Sequence, residues 1–191
     1  MRTRGLSGVR LAISDQHEGL KSAIERILDC PWQRCTVHFV RNMHGHCRPS
    51  ERGLVSAALR EIFNAEGRAA AKAHLGEVLE RFRGPLPKIA ELLEAAEEDL
   101  LAFYRFPASH PAKLRSTNPL EHFNKEIGRR SDVVGIFPND AAAIRLIGAM
   151  VIEQNDEWLV CQRYLSEESL ALVLEDQGDQ DEEVIAELEV N

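Results

Sequence analysis

The clearest pattern along the chain is a change of period. Val9-Arg10-Leu11-Ala12-Ile13 is a short, mostly apolar run between Gly8 and Asp15, as expected of a buried strand with a carboxylate at its carboxyl end. Leu20, Ala23, Ile24, Ile27 and Leu28 then recur at helical spacing, and Asp29 to Pro31 stop that helix. Gln33 to Phe39 reads as a second strand. This order predicts a right-handed βαβ unit with parallel strands, in which ligands collect at the carboxyl ends of the strands, where Asp15 stands.

From about Ser50 the period is helical. Leu54, Ala57, Ala58, Leu59, Ile62 and Phe63 mark one helix, Ala73, Leu75, Val78, Leu79 and Phe82 the next, and a third follows Pro85 and Pro87 from Ile89 to Phe103. Phe106 to Thr117 is polar and interrupted by proline, so it reads as a connection. Asn118-Pro119 opens another helix as an N-cap followed by proline at the first position, with Leu120, Phe123 and Ile127 as its expected buried stripe. Ser131 to Asn139 reads as a loop. Helices follow over Ala141–Val151, towards Trp158, and over Leu159–Leu174. The predicted class is α/β and helix-dominated, with segments at 1–48 (βαβ), 49–110 (helical insertion), 111–174 (carboxyl-terminal helices) and 175–191 (acidic tail).

Composition changes this picture in one respect. The net charge of −8 argues against general nucleic-acid binding, but it is concentrated at one end. Residues 166–191 carry 10 acidic side chains and no basic one, which leaves 21 acidic against 23 basic residues, a net of +2, for the remainder. The body of the chain can therefore approach DNA without strong repulsion, and the tail reads as solvated. No apolar run is long enough to span a bilayer, and Gly5-Leu6-Ser7-Gly8 replaces the apolar segment of a signal peptide, so no membrane partner and a cytoplasmic location are expected. Four cysteines without a Cys-x-x-Cys pair are expected to be reduced.

The candidate chemistry lies in two stretches. Asp15 ends the first strand, and Glu121 stands in the first turn of the helix opened by Asn118, ahead of Arg129 and Arg130. Two such carboxylates can share a divalent ion and act on a phosphodiester. Each also has a plainer reading: Asp15 as the cap of the next helix, Glu121 as a capping-box residue three positions after Asn118, and the arginines as solvated cations at a helix end. Cys35-x-x-His38, followed by His44, His46 and Cys47, offers soft ligands, but residues of a strand at that spacing face opposite sides, so zinc is not expected. Trp32 and Trp158 read as packing residues.

Five motifs lie in order along the chain: Ser14 to Leu20, Trp32 to Asn42, Ser116 to Arg130, Val133 to Asn139, and Glu153 to Trp158. Through them the chain resembles the carboxyl-terminal part of Mutator-type bacterial insertion-sequence transposases, from about Arg4 to Leu170. The resemblance implies a partial ribonuclease H-like fold with an all-α insertion, and an Asp-Asp-Glu triad binding Mg2+ or Mn2+. In that triad Asp15 matches the second aspartate and Glu121 the glutamate, while Cys35 and His38 match a Cys-x-x-His signature with a structural role near the active site. Thr117, Asn118, Asn124, Lys125, Arg129 and Arg130 fall in the signature around the glutamate, and DNA contacts are expected among them.

The resemblance further implies DNA as a partner, both insertion-sequence ends and target, and either a homo-oligomer or association with a full-length transposase. Two departures stand out. No residue before Asp15 is acidic, so the first aspartate and the first strands of the fold are expected to be missing and the chain to be inactive alone. Pro111 stands where the family pattern has tryptophan, which removes an expected aromatic contact. A non-catalytic module that associates with full-length transposase is the competing expectation.

Overall fold

A computed structural model describes residues 3, 5–107, 110–160 and 171–173. Its described elements are mostly helical, with one small sheet. Strand β1 (Ala12–Ser14) leads into helix α1 (Glu18–Ala23), which widens into a π-helical turn over Ile24–Leu28 before strand β2 (Trp32–Arg34). The two strands pair in parallel with Ala12 opposite Trp32, Ile13 opposite Gln33 and Ser14 opposite Arg34, so the predicted βαβ unit is present. Asp29 ends the wide turn with φ 52°, a left-handed conformation that aspartate tolerates better than most residues.

The second strand is shorter than its apolar content predicted. Residues from Thr36 to His44 form helix α2, with Cys35 as its N-cap. Thr36, Phe39 and Met43 are the buried residues of α2, a three- and four-residue spacing that only a helix turns to one side. The β-branched Thr36 and Val37 imitated a strand, and tertiary packing overrode that local preference.

Helices α3 (Arg52–Phe63) and α4 (Arg68–Arg83) follow as expected, whereas the third, expected as one helix from Ile89 to Phe103, is divided into α5 (Pro87–Ala95), a short α6 (Glu97–Leu100) and a 3-10 turn over Ala102–Arg105. Phe39 and Met43 from α2, Leu59 and Ile62 from α3, Phe82 from α4 and Leu93 from α5 are fully buried together in the main core. The sheet is keyed into these helices by Gln33. Its buried amide nitrogen donates to the carbonyls of Arg34 (2.7 Å) and Leu100 (3.1 Å), and its amide oxygen accepts the Phe103 N–H (2.9 Å). The segment read as a plain connection contains a further short helix, α7 (Pro111–Leu114), where Pro111 fits because the first helical turn needs no donor there.

Contacts divide the chain into two compact units, Met1–Thr117 and Asn118–Asn191. In the second, α8 (Asn118–Val134) runs four residues into the region predicted as a loop, Gly135 to Asn139 form the connection, and α9 (Asp140–Val160) follows. Gly135 is the stop: at φ 75° its N–H donates to the Ser131 carbonyl at 3.0 Å, closing the helix end through a conformation that glycine adopts without strain. Asn139 caps α9, accepting the Ala142 N–H at 2.9 Å.

The stripe of α8 is not buried as expected. Leu120 is 56% exposed, and Phe123 and Ile127 are only partly covered. Leu20, Ile27 and Leu54, assigned to buried faces, are likewise exposed. Trp32 is buried as expected, whereas Trp158 is exposed. Most of Leu159–Leu174 and all of the tail lie outside the described residues. Among the described residues no helix is long and apolar enough to cross a membrane.

Candidate active site

Asp15 follows β1 directly, at the carboxyl end of a parallel strand. It is not the cap of α1; His17 is, accepting the Leu20 N–H on Nδ1 at 3.2 Å. The backbone beneath Asp15 is fixed by a short relay across the sheet. The Trp32 indole N–H donates to Ser14 Oγ at 2.8 Å, and the Ser14 hydroxyl donates to the Asp15 carbonyl at 2.9 Å. Two rigid neighbours therefore hold the main chain while the Asp15 side chain stays 54% exposed.

The chain returns to Asp15 at the start of α2. Cys35 N–H donates to the Ser14 carbonyl at 2.9 Å, extending the parallel pairing by one step before the helix turns away. This puts Cys35 at the N-cap and His38 one turn on, on the same side. His38 Nδ1 lies 2.5 Å from Asp15 Oδ1 and 3.2 Å from Cys35 Sγ. Asp15, Cys35 and His38 each turn one ligand-capable atom into a space in which those atoms lie within 4.8 Å of one another. The expectation that Cys35 and His38 face opposite ways is thus corrected: they sit on a helix start rather than a strand.

Cys35 is fully buried, as a packing residue would be, but its sulfur is held by polar groups. The Thr117 N–H and hydroxyl both reach Sγ at 3.4 Å. Burial pushes the Cys35 thiol up, yet hydrogen bonds from Thr117 and from His38 outweigh it, and the thiol titrates below its ordinary value. Next to it, the Thr36 N–H (2.9 Å) and hydroxyl (3.0 Å) donate to the Arg115 carbonyl. Arg115 in turn donates to Phe63 O at 2.8 Å and Asn64 Oδ1 at 2.7 Å. The Arg115–Thr117 segment, which leads directly into α8, is therefore stitched to the Cys35–Thr36 step.

Glu121 lies in the first turn of α8 and is partly covered. Of the residues expected at DNA, Asn124, Lys125, Arg129 and Arg130 are exposed and Asn118 is half-buried. Spacing alone did not bring out Glu126. Arg129 reaches it with two nitrogens at 2.8 and 2.7 Å and Arg130 with Nε at 2.9 Å. These bonds, Arg129 first, pull the Glu126 carboxyl down to about 2. The signal was present as a glutamate three and four residues before the arginine pair.

The strand ending in Asp15 and the Cys-x-x-His helix start lie within a stretch that matches a known protein family. The model of the family described as "Transposase, Mutator family" matches residues 1–161. The chain is 42% identical over 168 residues to the transposase for insertion sequence element IS1081 of Mycobacterium tuberculosis, covering 87% of this chain and 40% of that protein. It is 42% identical over 165 residues to the transposase for IS406 of Burkholderia multivorans, covering 85% of this chain and 42% of that protein. It is 34% identical over 166 residues to the transposase for IS256 in transposon Tn4001 of Staphylococcus aureus, again 85% of this chain and 42% of that protein. The chain thus spans about two-fifths of the length of these relatives, and with a family match that takes in the Asp15 strand, the Cys35 helix start and all of α8, it belongs to the Mutator family of transposases.

Proposed function

We propose that this chain forms part of the catalytic core of an insertion-sequence transposase, with Asp15 and Glu121 as two carboxylates of an Asp-Asp-Glu triad that binds Mg2+ or Mn2+. In the complete protein the triad cuts DNA ends and joins the resulting 3′-hydroxyl to target DNA. The observation that carries this reading is the placement of Asp15, at the carboxyl end of a parallel βαβ strand inside a family match covering residues 1–161. The same βαβ arrangement supports a ribonuclease H-like core, with α3 to α6 as its helical insertion.

The donor chemistry fits a hard cation: Asp15 offers an exposed carboxylate on a fixed backbone, and Glu121 a second carboxylate. When bound, the metal neutralises charge on the scissile phosphate and acidifies a coordinated water or hydroxyl. Asp15 and Glu121 contribute the negative charge that would hold it. Asn118, Asn124, Lys125, Arg129 and Arg130 contribute donors along α8 for the DNA backbone, with the two guanidinium groups oriented by Glu126.

Titration of the chain with Mg2+, followed by NMR, tests the ligand assignment. Shifts are expected at Asp15 and Glu121, and they should disappear in Asp15→Asn and Glu121→Gln; shifts elsewhere only would refute it. Because no residue from Met1 to Ser14 is acidic, these residues alone are expected to leave DNA uncut. Cleavage abolished by Glu121→Gln would overturn that expectation.

A further inference from the structure

We propose that Asp15 Oδ1, Cys35 Sγ and His38 Nδ1 form a second kind of metal site, selective for a thiophilic divalent cation of the zinc type. The inference does not depend on the place of Asp15 in the acidic triad. It starts from the convergence of three electron-rich atoms on one space: Nδ1 is 2.5 Å from the carboxylate oxygen and 3.2 Å from the sulfur, and all three ligand atoms lie within 4.8 Å. A proton on Nδ1 lies along one of these directions at a time. A dipositive ion satisfies all three together.

The dimensions are suitable. With Zn–S near ~2.3 Å, Zn–N near ~2.1 Å and Zn–O near ~2.0 Å, tetrahedral ligand atoms stand roughly 3.3–3.6 Å apart. The S···N spacing is already close to this. The N···O spacing must open by about 1 Å, and Asp15, with its side chain 54% exposed, can withdraw towards solvent. His38 is 25% exposed in its side chain, so water can reach a fourth coordination position. The first turn of α2 fixes the Cys–His spacing, and Thr117 donates to the sulfur with both N–H and O–H, the outer support that a metal-bound thiolate requires. A thiolate and an imidazole disfavour Mg2+ and Ca2+ and favour Zn2+ or Co2+. An ion here would tie the Asp15 strand end to the start of α2.

The test uses Co2+ as the optical probe on the purified, reduced, metal-free full chain. The expected result is a saturable thiolate-to-cobalt charge-transfer band in the near ultraviolet with visible bands of a tetrahedral ion, all bleached by Zn2+. Cys35→Ser should abolish the near-ultraviolet band. Since Cys35 is buried, His38→Ala and Asp15→Asn at more exposed positions serve as second variants, each weakening Co2+ binding by at least about tenfold while far-ultraviolet circular dichroism stays unchanged. Absence of the band, its survival in Cys35→Ser, or an affinity unmoved in both His38→Ala and Asp15→Asn would overturn the proposal.

Discussion

Replacing Gln33 by leucine should destabilise the Met1–Thr117 unit by about 2–4 kcal/mol. The side chain is fully buried, and leucine is close to it in size, so the change is in polarity rather than volume. Three hydrogen bonds are lost: two to the carbonyls of Arg34 and Leu100 at 2.7 and 3.1 Å, and one from the Phe103 N–H at 2.9 Å. A buried donor left without an acceptor costs roughly 1–3 kcal/mol, and each deprived carbonyl, with a second lone pair, somewhat less. Against a typical total of about 5–15 kcal/mol the loss is large. Urea unfolding followed by Trp32 fluorescence, in a Trp158→Phe background so that only the first unit reports, measures it directly. A loss below about 1 kcal/mol at unchanged urea dependence would mean that water or main-chain adjustment re-satisfies these groups, and the view of Gln33 as the key between sheet and helices would be wrong.

His110 is 2% exposed, and its Nε2 has no hydrogen-bond partner among the described residues. Burial, then Lys113, holds its pKa below 6.5. The unfolded chain therefore binds more protons, so stability is complete above about pH 6.5 and declines as pH falls through that value towards the folded pKa; His110→Gln should flatten this decline in a series of melts between pH 5 and 7. Glu126, whose side chain is 38% exposed, is held at about 2, chiefly by Arg129 and then Arg130, so its contribution to α8 is complete above the ordinary value of 4.5 and is lost as pH falls towards 2. NMR titration of its side-chain carboxyl carbon should give a midpoint near 2, rising towards 4.5 in an Arg129→Ala, Arg130→Ala double variant. Glu126→Gln should also strengthen DNA binding and steepen its salt dependence by about one to two phosphate contacts, and an unchanged slope would separate these arginines from DNA. Thr117→Val removes the hydroxyl donor to Cys35 and should raise the Cys35 thiol pKa, followed through its Cβ chemical shift across pH.

The strand and its aspartate were legible because the signal is local: an apolar run, a boundary and a polar residue at its end. The helices α3 to α5 were legible for the same reason, each carrying its own period. Helix α2 was misread because Thr36 and Val37 satisfy a strand pattern over a few residues, and only the wider Thr36, Phe39, Met43 spacing, filled by contacts from α3, decides for helix. The extent of α8 was misread because Gly128 and Ser131 are poor helix residues, while the residue that stops the helix is Gly135, whose positive φ ends it.

The helical start at Thr36 has the larger consequence, since it governs what Cys35 and His38 can do. On a strand, residues three apart point to opposite faces and make no common site; at a helix start they lie one turn apart on one side. The same shift in local geometry brings His38 to Asp15, a contact between residues 23 positions apart, encoded only by the parallel register that sets Ser14 beside Arg34. It also hands the Cys35 sulfur to Thr117, the residue before α8 begins. The Cys-x-x-His pair thus joins the strand end bearing Asp15 to the Arg115–Thr117 segment, so changes at Cys35 should disturb Asp15 geometry and the Arg115–Thr117 stitch together.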